Sequence, residues 1–440
     1  MSSILTTPVF GRVADTSSRW PNEVTLFPQE LHRRIVEYYF ACWALLMPIA
    51  SLLLIPGIQG TIPAYMLAFL SPIFCIQRRY LSALLAFFGG WAIFTVMSQT
   101  GLLLSGTRLF LSLPLVEPAD PTAVFRSTLI TQSLYLFACV LLFLFVWMHF
   151  KPSMMRYVFW GAWLLVLYGL FNWVCFTFTG SPHDFLSNRV FEAAGGDERI
   201  ASWSQSYHIG PLRVLRLKSV TEEPSRCATL AVVYLSLAVF FRRRWLSLAL
   251  LGTLVLTTSL TGVLGLIVMF AALLAQRSNA KPWVITIAFF AIVAGAFCWM
   301  IFPETFDELI LSRVRGEHQS AITRSMKLET PVPIFLRLPF LNQLFGVGFG
   351  TCFLPGSMAL LINCGAFGLM IGVSFILYPV LRLYGSKADV GIVTAVIVIA
   401  FIYCFISSAI YNAVIWMILG IAYSRITSNS SNPPTPASVG

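Results

Sequence analysis

Three groups of charged residues interrupt an otherwise apolar chain, and each carries residue types that a phosphorylated substrate demands. The first runs Arg213-Val-Leu-Arg216-Leu-Lys218 and continues to Glu222-Glu223-Pro224-Ser225-Arg226. Arginine suits phosphate because its planar fork makes two parallel, charge-assisted hydrogen bonds. A carboxylate beside such cations can draw the proton from an incoming hydroxyl. The same residues also fit a plain helix start, since Pro224 suits the first turn and acids before it suit the positive end of the helix dipole. The second group is Arg313-Val-Arg315-Gly-Glu317-His318-Gln-Ser320-Ala-Ile-Thr323-Arg324. Ser320 and Arg324 are four apart and would share one helix face with His318 near them; a solvated amphipathic helix is the plain alternative. The third is Arg126, just ahead of an apolar run, which alone reads as a helix-end anchor.

Other chemistries find little support. The segment Leu344-Phe-Gly346-Val-Gly348-Phe-Gly350-Thr351 is rich in glycine, yet no GK[ST] ends it and no strand pattern precedes it. Such spacing lets backbone N–H groups approach an anion or lets a loop pack flat on helices, and packing is the favoured reading. The nine cysteines include no CxxC pair or Cys/His spacing, so no metal site and no cofactor are expected. His183 and His208 sit in a polar loop; His208, like Arg213, Arg313 and Arg315, is a candidate substrate contact.

The elements that must position these groups are set by composition. Of 440 residues, 58% are hydrophobic and 11% charged, whereas soluble domains carry about a quarter charged residues. A hydrocarbon core about 30 Å thick asks for about 20 apolar residues per helix. Candidate spans lie near 38–56, 61–76, 81–104, 129–150, 157–179, 227–241, 245–258, 262–276, 282–302, 359–381, 390–406 and 410–424. The expected fold is therefore an all-α polytopic membrane protein of about 12 transmembrane helices. The long runs 245–276 and 389–425 are each split, at Ser259–Thr261 and at Ser407–Ser408, where small polar residues permit a turn.

Basic residues argue for that split. With both termini in the cytoplasm, every short inner loop carries at least two Lys or Arg, and the three tight outer turns carry none. Merging either long run would invert all later loops. Residues 1–37 form a cytoplasmic leader without signal-peptide character, 38–426 the membrane domain, and 427–440 a polar, disordered cytoplasmic tail. Three large outer segments remain, near 105–128, 180–226 and 303–358, and they hold all three charged groups. The net charge of +11 is then an address for topology and for membrane lipid, with no nucleic-acid partner implied. Ionisable residues are scarce inside the spans, unlike ion-coupled transporters.

Together these features resemble the bacterial O-antigen polymerase and ligase superfamily, whose members include the Wzy-type polysaccharide polymerases. Arg216 followed by Glu223-Pro224-Ser225 is similar to the Arg…Glu-Pro-Ser element at the end of their long periplasmic loop. Thr258-Ser259-Leu260-Thr261-Gly262 is similar to their small-polar outer turn, with Leu260 where an Arg is common. Ser320 to Arg324, the glycine segment 346–351 and Asn363-Cys-Gly365-Ala-Phe-Gly368 resemble their later elements. The resemblance implies a GT-C-like membrane glycosyltransferase of the bacterial inner membrane that works at the periplasmic face. It implies a donor and an acceptor glycan linked to undecaprenyl diphosphate, with a chain-length regulator and a flippase as further partners. Arg126, Arg216 and Arg324 would bind the diphosphate. Glu223 would be the general base, with His318 second; His318 lies before Arg324, whereas the ligases carry their histidine after it. An O-antigen ligase and a lipid-linked oligosaccharide flippase are the competing readings.

Overall fold

The computed structural model describes residues 29–56, 58, 60–74, 78–105, 115, 125–181, 183–189, 191–192, 198–199, 206–209, 212–276, 331–352, 354, 356–406 and 411–431. Every expected span that falls among them is helical over at least part of its length, 38–56 only as far as Leu46. In chain order the helices are α1 (Gln29–Leu46), α2 (Pro63–Leu70), α3 (Arg78–Ser105), α4 (Ser127–His149), α5 (Met155–Thr179), α6 (Pro224–Phe240), α7 (Arg244–Thr257), α8 (Leu260–Ala275), α9 (Pro331–Arg337), α10 (Phe340–Phe345), α11 (Gly356–Leu383), α12 (Val390–Phe405) and α13 (Ala413–Ser431). Four segments are long and apolar enough to cross a membrane, Tyr80–Leu104, Ser127–His149, Pro152–Thr179 and Gly356–Leu383, and shorter apolar helices accompany them. The chain is a helical membrane protein.

Several boundaries differ from the expectation. The first helix starts at Gln29, inside the expected leader, and stops at Leu46, because Pro48 disfavours helical backbone at Met47. The chain then runs on so that the Ala50 and Ser51 amides both donate to Val220 O, at 3.0 and 3.2 Å. At the other terminus α13 continues to Ser431, well into the expected disordered tail. The 180–226 segment is not free of strand: β1 (Phe191–Glu192) pairs antiparallel with β2 (Glu198–Arg199), and β3 (Ser206–Ile209) with β4 (Leu212–Leu215). The run 282–302, most of the third outer segment and the Ser407–Ser408 break lie outside the described residues.

The break expected between the halves of 245–276 is present. Thr258 adopts the left-handed conformation (φ 45°, ψ 40°), and Ser259 returns to extended backbone before α8 begins. α6 forms the centre of the main core, buried from Cys227 through Ala238. It packs on α5, α7, α8 and α12, while α4 packs on α13. α3 stands apart: it meets α10 near its Ser98 end, and much of its surface (Leu81, Leu85, Ile93, Val96, Leu103) is exposed. In a bilayer that surface meets lipid tails, which are as apolar as leucine itself. At the far end from Arg126, the fully buried Asp389 accepts from Arg425 Nε at 2.7 Å, Ser386 Oγ at 2.7 Å and Asn429 Nδ2 at 3.3 Å. That carboxylate ties α13 to the turn between α11 and α12.

Candidate functional site

Arg216 and Glu223 lie at one end of the bundle, where the loops 47–55, 183–189 and 216–223 cross, and Arg126 stands apart from them at the start of α4. Hydrogen bonds fasten these loops before any charge enters. Asn188 donates to Leu53 O at 2.8 Å and accepts from Leu53 N at 2.6 Å, and Ser51 Oγ reaches Val220 O at 2.9 Å. Two ion pairs then cross-link the loops. Lys218 pairs with Asp184, the side chains 4% and 5% exposed. Ser187 Oγ accepts from Lys218 Nζ at 3.0 Å, and Asp184 Oδ1 accepts from Tyr168 OH at 2.8 Å. Burial pushes the Lys218 ammonium below its usual range, and Asp184 pulls it back up.

The second pair joins Arg189 to Glu222, and Arg226 Nε lies 3.6 Å from the other oxygen of that carboxylate. Burial lowers Arg189 to about 10, with Arg226 adding to the fall and Tyr65 and Tyr135 opposing it, so the guanidinium stays charged at neutral pH. Glu223 is the N-cap of α6, ahead of Pro224 at the first helical position. Its Oε1 accepts from Ser225 Oγ at 2.6 Å and lies 3.7 Å from Arg226 Nε. With its side chain 44% exposed, Glu223 is the carboxylate of this lattice most open to an incoming group.

The expected diphosphate ligands occupy two different settings. Arg216 donates from Nε to Thr258 Oγ1 at 2.9 Å and to Thr257 O at 3.3 Å, and from Nη2 to Thr258 O at 3.3 Å. Its cation thus sits on the negative end of α7 and holds the left-handed turn. Arg126 is the buried N-cap of α4, near enough to Cys352 to act on its thiol, which burial nonetheless pushes up to about 12. His208 and Arg213 are register partners on β3 and β4. Arg313, Arg315, His318 and Arg324 lie outside the described residues.

The glycine segment is a packing device. α11 is broken at Gly365 (φ 71°, ψ −171°), and the Ile362 and Asn363 carbonyls accept instead from Val347 N at 2.9 Å and Gly348 N at 3.1 Å. The two chains touch backbone to backbone. A Cβ on Gly346 would fall 2.3 Å from the Asn363 carbonyl, and one on Gly365 would fall 2.3 Å from that of Leu344. Asn363 completes the joint by exchanging hydrogen bonds with the Cys352 backbone at 2.8 and 3.0 Å. In a membrane protein every backbone group freed by a broken helix needs such a partner.

Aromatic rings connect the two settings. Tyr65 and Tyr135, which act on Arg189 electrostatically, lie 5.7 Å apart between ring centroids. Tyr135 meets Tyr411 at 5.7 Å, and Tyr411 meets Phe349 of the glycine segment at 6.0 Å. Below Phe349 a groove of about 550 Å³ runs between α3, α4 and α11, within the size of ligand pockets, about 300–1,000 Å³. Its walls are apolar, including Phe87, Trp91, Phe143 and Phe375, with Thr95, Ser98, Ser357 and Asn363 toward the Phe349 end.

Sequence reasoning did not single out Asp184, Arg189 or the four tyrosines, and it gave Glu222 no role apart from Glu223. Arg189 and Asp184 stand singly in a polar loop, and the tyrosines lie in four separate apolar runs, so no spacing rule joins them. Among the described residues no group of three or more His, Cys, Asp or Glu could hold a metal ion. No protein-family model matches the chain, and no curated protein matches it either.

Proposed function

We propose that this protein is a polyprenyl-diphosphate-dependent glycosyltransferase of the bacterial inner membrane that polymerises lipid-linked oligosaccharide repeat units at the periplasmic face. The observation that carries the reading is the apolar groove, which runs down into the bundle from the glycine segment, next to a lattice of arginines and carboxylates. A substrate with a hydrocarbon tail and a diphosphate head has that polarity along its length.

In the reaction a hydroxyl of the acceptor glycan attacks the anomeric carbon of the donor, and a new C–O bond forms as the bond to the diphosphate oxygen breaks. The leaving lipid diphosphate takes the bonding pair. The acceptor proton passes to Glu223, which is half-exposed and lies beside Arg226. Cations placed where charge builds on the departing oxygen lower the barrier. Arg126 and Arg324 are the cations expected to take this role, and Arg216 supports the site through the Thr258 turn.

The test is deletion of the gene followed by display of the surface glycan on a gel. Loss of long chains with a single repeat unit still attached to the acceptor supports a polymerase. Complete absence of repeats from the lipid A core points to a ligase, and a repeat unit trapped at the cytoplasmic face points to a flippase; either outcome overturns the proposal.

A further inference from the structure

The turn between α6 and α7 carries its charge in a conformation that membrane orientation alone does not call for. α6 closes with the paired bonds of a Schellman motif, Arg243 N donating to Ala238 O at 2.8 Å and Arg242 N to Val239 O at 3.2 Å. Arg242 takes the left-handed position of that motif, at φ 56°, where glycine is the unstrained residue. Arg243 and Arg244 follow as the N-cap and first residue of α7, where the helix dipole opposes a cation. An inner loop needs positive charge to orient the chain, but any unstrained position can carry it. Arg242, Arg243, Arg244 and Trp245 are all exposed. The turn is seated on α5, with Phe241 meeting Phe159 at 5.7 Å between ring centroids and Arg243 Cζ 5.7 Å from the centre of the same Phe159 ring. From Trp245 an exposed face runs on along α7 through Leu248, Gly252 and Val255, one stripe at helical spacing. Those ten steps rise about 15 Å, the depth of one leaflet's hydrocarbon. A Cβ on Gly252 would meet nothing within 4 Å, so the stripe has a shallow notch at its middle.

We propose that the α6–α7 turn and the exposed face of α7 bind an anionic phospholipid of the surrounding bilayer, its phosphate on Arg242 and Arg243 and one acyl chain along Trp245, Leu248, Gly252 and Val255. Guanidinium groups suit a phosphodiester because each can give it two parallel, charge-assisted hydrogen bonds. The Trp245 ring stands where head meets tail, the depth at which tryptophan collects in membranes. The order along α7 is therefore cation, amphipathic ring, apolar stripe, which is the order of a phospholipid's own parts. Contact with the phosphate offsets the strain at Arg242 and the repulsion between neighbouring arginines. This site is separate from Glu223 and Arg216: the 17 residues of α6, about 25 Å, lie between the turn and Glu223, and Arg216 holds the opposite end of α7. Its lipid is thus neither donor nor acceptor in the reaction proposed above.

The full-length protein, delipidated in a neutral detergent, is titrated with phosphatidylglycerol and separately with phosphatidylcholine, and bound lipid is counted by native mass spectrometry. Wild type is expected to bind phosphatidylglycerol about tenfold more tightly or better. Arg242→Gly removes one cation and relieves the left-handed backbone, so it should keep the unfolding midpoint of wild type while losing about fivefold in phosphatidylglycerol affinity. A residue that served only the turn would give no such split. Arg243→Gln is expected to lose a similar factor. Lys387→Gln removes an exposed cation from the turn before α12, whose Gly391 packs against Phe240 at the same end of the bundle, and should bind as wild type does. Equal affinity of wild type for the two lipids overturns the site, and so does wild-type phosphatidylglycerol affinity in Arg242→Gly. A loss for Lys387→Gln as large as that for Arg242→Gly overturns it in favour of diffuse surface charge. Glycerol 3-phosphate competing as well as the whole lipid overturns it in favour of a free-anion site. Should Arg243→Gln fail to fold, Arg242→Gly decides alone, since glycine fits the turn it enters.

Discussion

Replacing Lys218 with Met leaves Asp184 as a carboxylate in a site where both side chains are about 95% shielded from solvent. Removing one partner of a buried ion pair costs about 3–5 kcal/mol, because the remaining charge is desolvated without compensation. Tyr168 still donates to Asp184 Oδ1 at 2.8 Å, but one hydrogen bond to a charged acceptor offsets only about 1.5 kcal/mol of that loss. Lys218→Met is therefore expected to lower stability by about 1.5–3.5 kcal/mol, and Asp184→Asn by a similar amount. The double variant carries no buried charge, so it should be no less stable than either single variant, a coupling of at least about 1.5 kcal/mol. Unfolding by sodium dodecyl sulfate titration in mixed micelles reads all four proteins. If the single losses simply add in the double variant, or if Lys218→Met costs less than about 1 kcal/mol, the pair is solvated and the argument fails. The same cycle reports on the site, because this pair fixes the loop from which Arg189 reaches Glu222. On the function proposed above, breaking the pair should lower glycan transfer further than the loss of folded protein accounts for.

Three further outcomes follow from the same geometry. Gly346→Ala forces a Cβ to within 2.3 Å of the Asn363 carbonyl at φ 76° and should prevent accumulation of folded protein, checked by expression and gel filtration in detergent; normal yield would mean that the α11 break can relax. Arg216→Ala removes hydrogen bonds to two carbonyls and a hydroxyl at the α7 turn and should cost about 1.5–3 kcal/mol, measured by the same titration, with Arg216→Lys recovering part of it. Cys352, its thiol raised from 9.0 to about 12 by burial, binds its proton more tightly when folded. Stability from this group is full below pH 9 and is lost as pH rises toward 12, so wild type should lose stability across that window faster than Cys352→Ala.

What could be read in the sequence follows from the range of the forces involved. Helices in lipid depend on local apolar length, and the spans from 78 to 276 lie within a few residues of their expected bounds. The α7–α8 break was legible because the small polar residues at Ser259–Thr261 interrupt an apolar run. The α1 end depends on Pro48 and on a tertiary bond to Val220, and α13 runs on because Arg425 and Asn429 are held by Asp389 from another turn. Neither tertiary contact leaves a periodic trace. At the site, Glu223-Pro224 was legible as a capped helix start. The partner of Lys218 was not, since Asp184 lies 34 positions earlier in a loop with no pattern of its own.

The glycine segment shows how one packing joint can set the position of several neighbours at once. Its residues have no Cβ because they press against the α11 backbone and against Gln99 and Gln132. That same close approach sets Phe349 between the tyrosines above and the groove below. A bulkier loop would stand off from α4 and open the Tyr411 contact that leads on to Arg189. Packing therefore links the charged residues of the 180–226 segment to the apolar groove of the bundle through a row of ring contacts. On the function proposed above, the groove takes the hydrocarbon tail of a lipid-linked glycan and the charged loops take its head.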